Sequence, residues 1–128
     1  MSFKNLMIIK AIVCLAFGIL LLAIPDMLLS LFGATLGAGG MFTAREYGSS
    51  LLGNLFLCWF ARNADDSDAR RAIILALFVY DLIAFVMTAI TVILGILNPL
   101  GWLIVLVYLF FTLGFGYFLV KTPEVKPV

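Results

Sequence analysis

Residues 72–94, AIILALFVYDLIAFVMTAITVIL, form an unbroken apolar run with a single charged side chain, Asp81. An α-helix rises ~1.5 Å per residue, so ~20 apolar residues cross a hydrocarbon core of ~30 Å, and this stretch is long enough to do so. Three more runs have the same character: Leu6 to Ile24, Met41 to Ala61 and Gly101 to Val120. The chain is 65% hydrophobic and 12% charged, with a mean hydropathy of +1.22, which leaves too little polar surface for a soluble globule. The sequence therefore predicts an all-α integral membrane bundle of four antiparallel transmembrane helices, a single domain over residues 1–128.

The breaks between the runs are chemical. Pro25 cannot donate a helical hydrogen bond, and Asp26 suits a new N-cap. The loop from Arg62 to Arg71 is too polar for lipid, with Asp68 placed to cap the next helix, and Asn98-Pro99 is a turn signal. Met27 to Leu36 is apolar but too short to span. Led by Asp26 and followed by Gly37, Gly39 and Gly40, it reads as an outer interfacial helix or a re-entrant one. The first run has Lys4 and Lys10 near its start, as a signal peptide would. Leu22-Ala23-Ile24-Pro25 is a poor cleavage site, however, and three further runs follow, so it reads as an uncleaved helix.

Lys4, Lys10, Arg62, Arg70, Arg71, Lys121 and Lys126 fall on one side of this topology and Arg45 alone on the other. Basic residues are enriched in cytoplasmic loops, so both termini are expected inside a bacterial-type cytoplasmic (inner) membrane.

Polar residues inside the runs are the candidates for function. On the second helix, Arg45, Glu46, Ser49, Ser50, Gly53 and Asn54 fill one half at ~100° per residue, while Tyr47, Leu51, Leu52, Leu55 and Trp59 fill the other. On the third, Leu77, Asp81, Ala84, Thr88, Thr91 and Gly95 share a stripe. Facing each other, these halves would make an outward crevice floored by Asp81 and Asn54 and closed below by Leu77, Phe56 and Phe60. The ligand-binding or transport candidates are thus Asp81, Asn54, Arg45, Glu46, Ser49, Ser50 and Thr88. Asp81 stands out, because a carboxylate at mid-bilayer costs roughly 2.5–3.5 kcal/mol even on the gentlest insertion scale. For the small and hydroxyl residues, including Ala44-x-x-x-Gly48 and Ser49-x-x-x-Gly53, close helix packing is the competing explanation.

Several chemistries drop out. The chain has no histidine, which removes imidazole metal ligation and acid–base catalysis. Its two thiols, Cys14 and Cys58, form no Cys-x-x-Cys. Gly37-x-Gly39-Gly40 reads as a turn, and the mixed-charge loop fits neither a calcium site nor nucleic acid. The expectation is a non-enzymatic protein without cofactor, working with membrane lipids and as a homodimer or within a larger membrane complex. It would bind a lipid or small amphiphile or serve as an accessory subunit. The alternative is a small proton-coupled transporter or channel acting as an oligomer.

The Pro-ended first helix, Arg45-x-x-Gly48 opening the second, the Arg-containing hairpin loop and Gly101-Trp102 opening the fourth resemble a broad group of uncharacterised bacterial four-helix membrane proteins. The resemblance implies the fold and no reaction. In size and span number the chain is also similar to the small multidrug exporters, but its first helix lacks their membrane-embedded Glu.

Overall fold

A computed structural model describes residues 1–121; Lys126, counted above among the basic residues, lies outside them. Among the described residues there are five α-helices and no strands: α1 Phe3–Ala23, α2 Pro25–Leu31, α3 Ala38–Ala61, α4 Asp68–Ile93 and α5 Gly101–Lys121. Three of them, α1, α4 and α5, are long and apolar enough to cross a membrane. With 24 residues α3 is as long, but it is the least apolar of the four long helices, because Arg45, Glu46, Ser49, Ser50, Asn54 and its glycines dilute it.

The caps differ from expectation by a residue or two. Ser2 caps α1, its Oγ accepting from Asn5 N–H at 3.1 Å, and Ser67, not Asp68, caps α4 by accepting from Arg70 N–H at 3.1 Å. Both serines have extended backbone, as an N-cap requires, while Asp68 falls in the first turn, where it still suits the helix dipole. Asp26 is likewise inside its helix. Pro25 takes the first helical position, where its missing N–H costs nothing. α2 stops before Gly33, which adopts φ +80°, and α3 starts at Ala38, absorbing Gly39 and Gly40 into its first turn.

The long helices pack in two pairs. α1 lies along α3 and α4 along α5, α1 touches α5 lightly, and α3 and α4 scarcely meet. The α1–α3 crossing is made by two glycines: a Cβ on Gly48 would lie 2.9 Å from Gly18 O, and one on Gly18 would lie 3.3 Å from Gly48 O. Backbones can approach this closely only without side chains. Gly48 thus satisfies the packing explanation given to Ala44-x-x-x-Gly48, whereas Gly53 has open space around it.

One half of the bundle is solid. Phe3, Leu6, Met7, Ala11, Cys58, Ile74, Leu77, Phe111 and Phe115, from all four long helices, form a closed core at the end where Lys4, Arg62, Arg70, Arg71 and Lys121 gather. The other end carries α2, the turn after Ile93 and Arg45. There Asn98 N–H donates to Phe32 O at 2.7 Å and its Nδ2 donates to Leu31 O at 3.0 Å, tying the α4–α5 turn to α2.

Candidate functional site

Each long helix sends one or two polar side chains to the middle of the bundle. α1 supplies Lys10, α3 Tyr47, α4 Tyr80 and Asp81, and α5 Tyr108. Lys10 Nζ donates to Asp81 Oδ1 at 2.5 Å, and the two residues are 2% and 0% exposed. The ammonium also lies over the rings of Tyr80, 4.9 Å from its centroid, and Phe111, 4.4 Å. Such contacts strengthen when water is excluded. Tyr47 hydroxyl hydrogen-bonds both the Tyr80 and the Tyr108 hydroxyl. Asp81 Oδ2 is buried with no hydrogen-bond partner among the described residues.

Above this cluster, toward α2, the bundle is hollow. A cavity of about 670 Å³ is lined by α1, α2, α3 and α5, with Tyr80 and Thr88 from α4. Lys10 and the three tyrosines form its polar floor, and its walls are apolar, among them Phe17, Leu21, Leu28, Phe32, Leu51 and Ile104. Its exposed lining residues, Gly39, Thr43 and Leu103, lie in the first two turns of α3 and α5 and mark the mouth. Pockets of ~300–1,000 Å³ with apolar walls and a few convergent polar groups are the usual form of small-molecule sites.

Of the residues singled out from sequence, Asp81 sits at the level of the floor and Thr88 lines the cavity. The crevice between α3 and α4 is absent, and Lys10, not Asn54 or Ser50, is the partner of Asp81. The reason is electrostatic: where water is scarce, a charge-assisted hydrogen bond from an ammonium stabilises a carboxylate far better than an amide does. α3 is also turned the other way. Its Tyr47, Leu51 and Leu55 half points inward, and Arg45, Glu46, Ser49 and Ser50 are exposed, with Asn54 half-buried. Ser49 and Ser50 hydroxyls donate to the carbonyls of Arg45 and Glu46 one turn back, at 3.0 and 3.3 Å, so they need no partner helix. Arg45 Nε donates to Leu22 O at 3.2 Å, closing the end of α1. Leu77 is buried in the core rather than closing a crevice, and Phe56 and Phe60 stack on each other at the surface.

Lys10, counted from sequence among the end charges, is buried inside the bundle. The signal that places it inside is the recurrence Phe3, Met7, Lys10, Cys14, Leu21 on one stripe of α1, all of them buried. Cys14 and Cys58 are buried free thiols, and no cluster among the described residues has the His, Cys, Asp and Glu ligands to hold a metal. No protein family, curated protein or solved structure matches the chain.

Proposed function

We propose that α1, α3, α4 and α5 are four antiparallel spans of a protein of the cytoplasmic (inner) membrane, with both termini cytoplasmic, and that its outward-opening interior cavity binds a lipid or small amphiphile. Large apolar side chains exposed on every long helix support the membrane setting, including Ile12 and Ile19, Phe56 and Phe60, Ile83 and Met87, and Leu106 and Leu113. Phe56 and Phe60 extend that belt to α3, and Arg45 and Arg62 bracket a helical rise of about 26 Å, close to a hydrocarbon core. Arg62 over Trp59 at 3.9 Å, Arg70 over Phe3 at 4.1 Å and Lys121 over Tyr117 at 5.3 Å pair cations with rings at one level, as at a membrane interface. With Lys10 removed from the end charges, the basic asymmetry that sets the orientation still stands.

The cavity carries the binding reading. Its apolar walls and one polar floor suit a molecule with a long apolar body. Purified protein should retain an apolar molecule detectable by native mass spectrometry, and Ala44→Phe, which fills the cavity wall, should reduce that occupancy at least tenfold with helicity unchanged. Equal occupancy in wild type and variant would refute the reading. The buried Lys10–Asp81 pair favours a second reading, proton-coupled transport by an oligomer with Asp81 as the coupling group. Proteoliposomes would then show a solute-dependent proton flux that is lost in Asp81→Asn; a cavity that only binds gives none.

A further inference from the structure

The floor of the cavity holds hydrogen-bond donors that have no acceptor among the described residues. Lys10 ammonium has three N–H groups, and Asp81 Oδ1 is its one hydrogen-bond acceptor among the described residues. The three tyrosine hydroxyls have three hydrogens and make two hydrogen bonds with each other, so one hydrogen is left over. Asp81 Oδ2 is buried without a hydrogen-bond partner among the described residues, and Asp81 is not one of the residues that line the cavity. A buried donor without an acceptor is costly, so a ligand that brings acceptors here gains affinity by satisfying them.

Charge narrows the class further. Lys10 and Asp81 already neutralise each other, so a carboxylate or phosphate at the floor would be an uncompensated charge in an apolar site. A neutral carbonyl oxygen matches: it has two acceptor lone pairs and no hydrogen to place. Above the floor the walls are apolar up to the mouth at Gly39, Thr43 and Leu103.

The geometry points to a ligand with a neutral carbonyl at the end of an apolar body, a long-chain ketone or an alkyl quinone, seated head-first with its carbonyl oxygen against Lys10 Nζ and the tyrosine hydroxyl group. This rests on the binding reading above and adds the identity and direction of the polar end.

The test uses the full chain in detergent micelles, with binding measured by native mass spectrometry for four probes of matched chain length: a methyl ketone, an alkyl benzoquinone, an alkane and a fatty acid. The ketone or the quinone is expected to bind at least tenfold more tightly than the alkane and the fatty acid, and the two carbonyl probes separate a simple ketone from a quinone ring as the natural source. In Lys10→Met/Asp81→Leu, which removes both charges together, carbonyl affinity should fall toward the alkane level, with the tyrosine hydroxyl the one donor left, while alkane affinity is kept. A ketone carrying ¹³C at the carbonyl gives a second readout on the wild-type protein: its infrared stretch should move to lower wavenumber on binding, the signature of an accepted hydrogen bond. Equal binding of ketone, quinone and alkane, tighter binding of the fatty acid, or an unshifted carbonyl band would each overturn the assignment and leave the cavity as a site for apolar chains. Failure of all four probes to bind, with Ala44→Phe indistinguishable from wild type, would reject the binding reading itself.

Discussion

The two halves of this bundle are built from the same four helices and do opposite things. Toward the basic end, Leu6, Met7, Ile74, Leu77, Phe111 and Phe115 interlock with almost no exposure. Toward α2, the buried residues Cys14, Leu21, Leu28, Phe32 and Leu51 are also apolar, yet all five line a cavity. Composition does not separate the halves; closure does. The first half is filled by side chains from four helices meeting at one level. In the second, α2 is interposed at the top and the space behind it is left open.

This contrast can be broken most severely at the boundary between the halves. Lys10→Met alone leaves Asp81 buried and unpaired, and it should cost about 3–5 kcal/mol, measured by chemical unfolding in detergent. Lys10→Met/Asp81→Leu should recover most of that loss, and a double variant as unstable as the single would show that the charges are not what matters there. The next largest effect separates the halves directly. Phe115→Ala in the closed core should cost about 3–5 kcal/mol, because it opens a void among packed neighbours. Ile104→Ala in the cavity wall, which already faces empty space on one side, should cost about 1 kcal/mol or less of cavity-related stability beyond its lost transfer energy. Equal costs at the two positions would mean the hollow half is packed after all.

The smallest effects come from two glycines of α3. Gly48→Ala forces a methyl group to 2.9 Å from Gly18 O and should cost about 1–3 kcal/mol. Gly53→Ala has nothing within 4 Å and should gain about 0.5–1 kcal/mol from helix propensity. A loss at Gly53 would show that the outward face of α3 is covered by another protein, the partner that an accessory role requires.

The helices themselves were legible in the sequence, since run length, Pro25, the charged loop and Asn98-Pro99 place three of the four breaks between helices within a few residues. Asp81 was legible too, as an isolated carboxylate with no cheap place to go. What the sequence hid was the identity of its neighbour and the way α3 is turned. Amphipathicity on α3 suggested that the polar half faces inward, but hydroxyls bonded to their own helix carbonyls carry no demand for burial, so the polar stripe was free to face out. The tyrosine cluster gave no local signal. Tyr47, Tyr80 and Tyr108 lie on three different helices, and their association exists only once those helices are brought together. The cavity is of the same kind: it is a property of how α2 tops the bundle, not of any one segment.

The Gly18–Gly48 crossing has a mechanical consequence. It fuses α1 and α3 into one stiff blade, and the extensive α4–α5 contact makes a second. Between the blades lie a light α1–α5 contact, the ion pair of Lys10 and Asp81, the hydrogen bonds of Tyr47 to Tyr80 and Tyr108, and, at the α2 end, the Asn98 hydrogen bonds to Phe32 and Leu31. Separating a desolvated pair of opposite charges is steep in energy from the first fraction of an ångström. The pair and the tyrosine hydrogen bonds therefore pin the two blades together at one level, the floor of the cavity, and at the α2 end the Asn98 hydrogen bonds join the second blade to α2.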